Sequence, residues 1–349
     1  MIPLSVLDLA PISAGSDTGD ALRHSLDLAQ HAEEWGFHRY WLAEHHGMPG
    51  IASAATAVLI AHIAAGTSTL RVGAGGIMLP NHSPLIIAEQ FGTLEALHPG
   101  RIDLGVGRAP GTDPATSRAL RRNSSAQAER FPEDVTELLR YFAVNTPSQQ
   151  VRAIPGEGLH VPVWILGSSL FGAQLAAQLG LPYAFASHFA PGQLMAAIQV
   201  YREQFKPSAA LAEPYVMLGI GVFAADSEAE AELLASSWQQ VFVNLFSGTP
   251  RQLPPPIAHY RSELPAMQQA MLNDVLACTL VGSADNIAQK INEFAAMTGA
   301  DELMITSQIY DHRARLHSYQ IVADTLLAKN NSTASPCIPA TATHTSLSP

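Results

Sequence analysis

Two adjacent histidines stand near the N-terminus, in the sequence Glu44-His45-His46. They follow a short apolar stretch that is typical of a β-strand. An imidazole changes its protonation near neutral pH, so one of the two rings is a candidate general acid or base. A shared metal ion is a weaker hypothesis, because adjacent residues of an extended backbone point to opposite faces. A histidine that only forms a hydrogen bond at a strand end is the structural alternative, and Glu44 could pair with or orient a neighbour.

The segment Gly167-Ser168-Ser169 has the composition of an anion-binding turn. Glycine allows close approach to the backbone and serines cap helices, so the first amides of a following helix would face a phosphate. Arg108 follows the preceding predicted strand and could add a planar fork of donors. An ordinary helix cap beside a surface arginine is the alternative interpretation.

Residues 71–77 have the sequence RVGAGGI, which is unusually rich in glycine for a strand. A flat ligand ring lying against bare backbone would explain the missing side chains. A β-bulge or tight packing within the sheet explains them equally well.

These residues stand at the ends of a regular alternation of strands and helices. The strands are apolar throughout, as expected of a parallel sheet covered on both faces. Eight such units predict a TIM (β/α)8 barrel with insertions, whose site lies at the carboxyl ends of the strands. A doubly wound sheet is the main alternative, but the glycines at 105, 107 and 111 lack the spacing of a dinucleotide-binding turn. The predicted strands are 2–9, 39–42, 70–79, 102–106, 163–166, 183–186, 215–224 and 303–306. The predicted helices are 20–35, 52–65, 84–97, 133–141, 169–179, 193–205, 227–245, 267–276, 284–297 and 313–329.

The composition is that of a globular protein with a large core. Of the 349 residues, 47% are hydrophobic and 14% are charged, which argues against a disordered chain. The 30 Asp and Glu residues outnumber the 19 Lys and Arg residues, and the net charge of −11 argues against nucleic-acid binding. We expect one domain over residues 1–329 and a disordered tail, rich in Ser, Thr, Ala and Pro, over residues 330–349.

Several features predict a soluble protein of the cytoplasm. The first residues, MIPLSVLDLA, lack the basic and apolar regions of a signal peptide. No window of about 18 uninterrupted apolar residues is present to span a membrane. The two cysteines, Cys278 and Cys337, cannot form a disulfide framework.

Four segments together resemble the bacterial luciferase-like, flavin-dependent monooxygenases. The resemblance extends over nearly the whole chain, to about Lys329, and is closest to a subgroup of uncharacterised luciferase-like oxidoreductases. The segments begin at Trp41 (WLAEHH), Arg71 (RVGAGGIMLP), His98 (HPGRIDLGVGR) and Leu166 (LGSS).

The resemblance implies roles for particular residues. His45 would be the catalytic histidine, and the third-strand segment would lie against the flavin ring, with a non-proline cis peptide at Gly75–Gly76. The turn after the fifth strand would bind the flavin phosphate together with two arginines, the second of which aligns to Arg118 or Arg130. The implied cofactor-binding residues are Gly75, Gly76, Arg108, Ser168, Ser169, Arg118 and His188.

The chain also departs from the luciferase pattern. Gly107 replaces a reactive cysteine, His188 replaces a tryptophan near the end of the sixth strand, and only the proline-rich segment 247–260 stands where luciferase has a long mobile lid. These differences argue against light emission from a long-chain aldehyde, but not against the common flavin chemistry.

The function implied is that of a monooxygenase using reduced FMN and O₂. A flavin C4a-(hydro)peroxide would transfer one oxygen atom to a small organic substrate, and a separate NAD(P)H-dependent flavin reductase would supply the reduced flavin. Two alternatives remain, an F420-dependent hydride-transfer oxidoreductase and a non-catalytic flavin-binding protein.

The family also dimerises through the helices after the second and third strands. The helix at 84–97 has enough apolar positions either to meet a partner or to pack on the barrel: Ile86, Ile87, Phe91 and Leu94.

Overall fold

A single parallel sheet organises the part of the chain that the computed structural model describes, residues 2–109, 113–120, 128–144 and 150–327. Its nine strands are β1 (Leu4–Asp8), β2 (Arg39–Leu42), β3 (Arg71–Met78), β4 (Ile102–Gly107), β5 (Val163–Gly167), β6 (Tyr183–Phe185), β7 (Val216–Ala225), β8 (Thr279–Ser283) and β9 (Glu302–Thr306). Strands β1 to β7 and β9 close into an eight-stranded barrel, with β9 pairing with both β7 and β1. The closure confirms the predicted TIM barrel and excludes the doubly wound sheet, whose edges remain open.

Strand β8 is the one element of the sheet that the sequence patterns do not predict. It pairs only with the second half of β7, from Gly221↔Thr279 to Ala225↔Ser283, and so extends the sheet outside the barrel. The first half of β7 completes the barrel wall through β6 and β9. Because β8 is only five residues long and mostly half-buried, its composition does not distinguish it from a loop between two helices.

The helices surround the barrel. They are α1 (Thr18–Trp35), α2 (Thr56–Ala65), α3 (Pro84–Leu97), α4 (Pro114–Leu120), α5 (Phe131–Phe142), α6 (Leu170–Leu179), α7 (Leu194–Gln204), α8 (Glu228–Phe246), α9 (Tyr260–Glu263), α10 (Ala266–Val275), α11 (Ala284–Thr298) and α12 (His312–Leu326). The patterns do not predict α4 or α9. None of the helices in the described ranges is both long and apolar enough to cross a lipid bilayer.

Most predicted helix ends agree with the structure to within two residues. Helix α2 is an exception, since it begins at Thr56 and not at residue 52. Before it, the Ala52 amide donates to the Ala10 carbonyl (3.0 Å), and this pairing draws the chain toward β1. Residues 328–329 of the predicted closing helix and the tail 330–349, with Cys337, lie outside the described residues.

The amino-terminal end of the barrel is filled by paired charges. Arg39 is bound to Asp103 (2.8 Å) and to Glu302 (3.0 Å), and Arg71 binds Asp103 from the other side (2.5 Å). The two carboxylates are completely buried, and these guanidinium partners compensate for the hydration that each carboxylate loses. These ion pairs are structural, and the site of a barrel enzyme lies at the opposite, carboxyl end of the strands.

A second buried ion pair joins the first and last elements of the barrel. The Arg315 guanidinium of α12 donates to Asp8 at the end of β1 (2.7 Å), and the Tyr40 hydroxyl donates to the same carboxylate (2.5 Å). Burial alone would raise the pKa of Asp8, but the charge of Arg315 and the hydrogen bonds to the carboxylate lower it. Asp8 is thus an ionised structural residue, although it stands at the carboxyl end of a strand.

Candidate active site

Glu44 organises the segment that follows β2. Its carboxylate, with 1% of the side chain exposed, accepts hydrogen bonds from His46 Nε2 (2.8 Å) and His82 Nε2 (2.9 Å). The Met78 amide at the end of β3 (3.0 Å) and the Asn81 side chain (3.3 Å) also donate to it. One carboxylate therefore fixes the end of β2 relative to the end of β3.

These contacts determine the protonation of Glu44. Burial raises the pKa of a carboxyl group, but the hydrogen bonds and charge of His82, together with the bonds from His46 and Met78, lower the pKa of Glu44 below its ordinary value. An ionised carboxylate only accepts, so both imidazoles donate their Nε2 protons to it. The expectation that Glu44 orients a neighbour agrees with this geometry, and the neighbours are His46 and His82.

The two adjacent histidines are in different environments. His46 is bound to Glu44, whereas the His45 amide donates to the Ser53 carbonyl (3.0 Å) and its side chain is half-buried. Burial lowers the pKa of His188, and the charge of His45 acts on His188 as a second, smaller cause. His45 is thus the histidine of the pair that is associated with the strand ends β2 and β6.

The Gly75–Gly76 peptide in β3 is cis, as the resemblance implies. The pairing of β3 with β4 shifts register between Gly75 and Ile77. A Cβ at Gly76 would lie 2.7 Å from the Gly105 carbonyl oxygen, so tight packing alone requires glycine there. Gly75 remains partly accessible and lines a cavity. The bulge and the tight packing are therefore both present, and Gly75 borders the cavity.

Arg108 lies beside the amino terminus of α6. Its guanidinium is exposed and stacks over the Phe171 ring at 4.1 Å, in the first turn of that helix. Ser169 is the N-cap residue by its backbone conformation, but its hydroxyl caps no amide within the described residues. The Leu170 amide instead donates to the Gln193 side chain (3.3 Å). The structure thus brings Arg108, Ser168 and Ser169 to one helix terminus, while the expected serine cap is replaced by a glutamine.

The two candidates for a second phosphate arginine are both exposed. Arg118 belongs to α4, which packs near the histidines, since a Cβ at Gly47 would lie 2.8 Å from Thr116 Oγ1. Arg130 is directed toward Asp134 (3.9 Å) in α5. Within the described residues no contact joins either arginine to Arg108, and residues 121–127 between them are outside those ranges.

A cavity opens inside the barrel next to Gly75. Its lining is almost entirely apolar and is completed by one imidazole, that of His188: Leu7, Trp41, Gly75, Leu166, Ala184, Phe185, Ala186, His188, Met217, Gly219 and Met304. Burial, with a smaller contribution from His45, lowers the pKa of His188 to about 4. His188 is therefore neutral at pH 7 and lines this cavity together with Gly75.

The proline-rich segment 247–260 crosses the carboxyl-terminal rim. Leu253 is buried, its amide donates to the Ile12 carbonyl (2.9 Å), and its carbonyl accepts from Ala14 (2.8 Å). The Arg251 carbonyl lies so close to Gly50 that a Cβ there would be 2.6 Å away. This segment therefore connects the loops after β1 and β2 to α8.

Sequence reasoning does not identify His82, Gln193 or Gly219. His82 contacts a residue 38 positions earlier, and only the closed barrel brings them together. The polar run Asn81-His82-Ser83 after a predicted strand is the one indication that could have singled it out. No group of three His, Cys, Asp or Glu side chains among the described residues has the arrangement of a metal site.

Comparison with known proteins agrees with this architecture. Residues 2–302 match the profile of the family described as luciferase-like monooxygenases. A luciferase-like monooxygenase of Escherichia coli (strain K12) is 55% identical over 323 residues, which cover 93% of this chain and 96% of that protein. The N-acetyl-S-alkylcysteine monooxygenase of Bacillus subtilis (strain 168) is 32% identical over 346 residues, covering 94% and 99% of the two chains. The chain belongs to the luciferase-like monooxygenase family.

Solved structures show the same fold. The crystal structure of apo-MsnO8 superimposes with a TM-score of 0.84 at 34% identity, over 93% of this chain and 98% of the other. At 17% identity, the oxygenating constituent of 3,6-diketocamphane monooxygenase from Pseudomonas putida, in complex with FMN, has a TM-score of 0.70, over 94% and 98% of the chains. An F420-dependent secondary alcohol dehydrogenase, 15% identical, has a TM-score of 0.67, again over 94% and 98% of the chains. These last two share the fold, with different cofactors.

Proposed function

We propose that this protein is an FMN-dependent monooxygenase, which uses reduced FMN and O₂ to oxygenate a small organic substrate. One observation carries the proposal: one end of the barrel holds four features that a flavin mononucleotide needs. They are the amino terminus of α6 with Arg108, the bare backbone of Gly75, and the imidazoles of His45 and His188. The family membership supports monooxygenase chemistry, and the FMN complex of a protein with the same fold supports the choice of cofactor.

The residues at this end fit a flavin mononucleotide. The first amides of a helix are unpaired within the helix and attract a phosphate, and Arg108 adds a cation beside them. We infer that Arg108, Ser168 and Ser169 bind the phosphate, with Arg118 as the second arginine. The accessible backbone of Gly75, next to the buried Gly76, would face the flavin ring, with His188 beside it.

The side chains around this site would control protons and water. Reduced flavin, when bound, supplies the electrons for O₂ activation and delivers one oxygen atom to the substrate. His45 would donate and accept the protons that this reaction needs. Glu44 would hold the end of β2 so that His45 keeps its position, and the apolar cavity would exclude water that competes with the substrate.

A deazaflavin is the second candidate cofactor, because an F420-dependent dehydrogenase has the same fold. F420 would make the protein a hydride-transfer oxidoreductase. Reconstitution with FMN and with F420 in parallel separates the two, since we expect tight binding of reduced FMN only. A protein that binds flavin without turnover would release only H₂O₂.

The direct test is anaerobic titration with reduced FMN, followed by O₂ and an untargeted product screen. We expect saturable binding and an oxygenated product in the presence of substrate. Flavin oxidation that yields only H₂O₂ with every compound would contradict the monooxygenase function. Addition of an NAD(P)H-dependent flavin reductase should sustain turnover, since no second nucleotide-binding unit is evident in the described barrel.

We also infer a homodimer through α2 and α3. Three apolar residues of these helices are well exposed: Val58 (68%), Ile86 (49%) and Leu97 (64%). The other apolar positions considered on α3, namely Ile87, Phe91 and Leu94, are buried against the barrel and serve the core. Light scattering should show a dimer that Ile86→Glu dissociates, and a monomeric wild-type protein would contradict the inference.

A further inference from the structure

The two ring nitrogens of His188 have different surroundings. Nδ1 is buried and has no hydrogen-bond partner among the described residues. It lies against Gly219 of β7, where a Cβ would overlap it. The residue as a whole is partly exposed and lines the cavity, so Nε2 is the nitrogen that faces a ligand.

This packing determines which nitrogen carries the proton. Gly219 offers Nδ1 only a Cα–H group, which is a weak donor and cannot accept. A buried N–H without an acceptor is strongly disfavoured, so the proton is on Nε2. Since burial and His45 lower the pKa of His188 to about 4, the ring is neutral at pH 7. His188 is therefore a fixed, uncharged N–H donor.

The other described residues of the lining offer a ligand no competing polar side chain. Among the described residues of that lining, Trp41 has the only other side-chain N–H, and its Nε1 already donates to Asp103 (3.2 Å). The remaining side chains are hydrocarbon or thioether groups, including Leu7, Met217 and Met304. A ligand in this cavity thus meets one hydrogen-bond donor in apolar surroundings.

We propose that His188 Nε2 donates a hydrogen bond to an uncharged acceptor oxygen, such as a carbonyl, of the organic substrate. The proposal rests on the proposed function, of which it specifies the substrate class. The donor selects small apolar molecules with one acceptor over plain hydrocarbons. It also selects against carboxylates, because the apolar lining and a neutral donor do not compensate the lost hydration of an anion.

Three substitutions separate the donor from the shape of the ring. In His188→Gln the amide nitrogen takes a place close to Nε2, so the donor is kept. In His188→Asn the amide nitrogen takes the place of Nδ1, next to Gly219, so the donor to the cavity is lost. His188→Phe keeps the ring and removes both nitrogens. Gly219→Ala should displace the ring and act like His188→Phe, while Gly221→Ala on the same strand is the matched control.

Binding is measured on the flavin-free protein by tryptophan fluorescence, to which Trp41 in the lining and Trp164 beside it contribute. The probes are hexan-2-one, its hydrocarbon analogue 2-methylhex-1-ene, and hexanoate. We expect the wild-type protein, His188→Gln and Gly221→Ala to bind the ketone about threefold to tenfold more tightly than the alkene, with hexanoate weakest. His188→Phe and His188→Asn should lose the preference for the ketone. A preference that persists in His188→Phe overturns the proposal.

Two further measurements complete the test. In ¹⁵N NMR spectra at pH 7, with the signal assigned through His188→Gln, His188 should be neutral and protonated at Nε2; a proton on Nδ1 or a charged ring overturns the proposal. If His188→Phe weakens FMN binding but leaves the ketone preference intact, the donor serves the cofactor and the proposal is wrong. These assays need no turnover, so a failure of oxygenation does not affect their outcome.

Discussion

Replacement of Glu44 by glutamine tests whether one buried carboxylate holds the two strand ends together. The glutamine carbonyl can keep the bonds to His46 and His82 at one oxygen, but its NH₂ group then faces the Met78 amide, which is also a donor. The variant thus loses one charge-assisted hydrogen bond and weakens the others, and each such bond contributes about 1.5–3 kcal/mol. We expect Glu44→Gln to lower the free energy of unfolding by about 2–4 kcal/mol at pH 7.

The stability difference between wild type and Glu44→Gln should depend on pH. The folded protein lowers the pKa of Glu44, so the ionised carboxylate stabilises the fold above the pKa of an unfolded glutamate, about 4.3. That contribution is lost as the pH falls through the lower folded pKa. The difference in stability between wild type and Glu44→Gln should therefore be greatest near pH 7 and should shrink below about pH 4.3.

Urea unfolding followed by tryptophan fluorescence measures both effects. Glu213→Gln, which changes an exposed glutamate in the same way, is the matched control and should change the unfolding free energy by less than about 0.5 kcal/mol. Equal stability of Glu44→Gln and wild type at pH 7, or a difference that grows on acidification, would refute the reasoning.

Three other predictions concern catalysis, cofactor binding and the buried ion pair between Asp8 and Arg315. His45→Ala should bind reduced FMN normally but lose oxygenation, as measured by product yield per flavin oxidised; a normal yield removes His45 from the mechanism. Arg108→Ala should raise the dissociation constant of FMN about 10-fold to 100-fold in calorimetry, because it removes a charge-assisted bond, whereas Arg130→Ala should change it less than about threefold. Asp8→Asn leaves the charge of Arg315 buried without its partner and should lower the unfolding free energy by about 3–5 kcal/mol at pH 7. Because the pKa of Asp8 is lowered by folding, this loss should diminish at acid pH, and a constant difference across pH would show that the ion pair is not its cause.

The barrel could be predicted from the sequence because each of its eight strands is a short apolar run between amphipathic helices. The positions of candidate residues at strand ends follow from the same alternation. What periodicity does not provide is the partner of each residue. His45 and His46 are equivalent by pattern, and the structure distinguishes them, since His46 contacts Glu44 and His45 acts on His188.

The elements that sequence reasoning does not find are short or depend on distant contacts. Strand β8 is supported by five residues of β7, and α4 by its packing near Gly47, neither of which leaves a periodic pattern. The reason for a glycine at position 219 is visible only in the structure. There β6 pairs with β7, and the His188 ring packs where a Cβ of residue 219 would lie. Gln193 replaces the expected Ser169 cap because the loop after β6 reaches the start of α6.

An anaerobic crystal structure with reduced FMN would examine the proposed cofactor site atom by atom. We expect phosphate oxygens about 2.7–3.2 Å from the Arg108 guanidinium and from the backbone amides at Ser168 and Ser169, with the tricyclic ring against Gly75–Gly76. A nucleotide bound elsewhere on the barrel, with those residues untouched, would contradict this expectation.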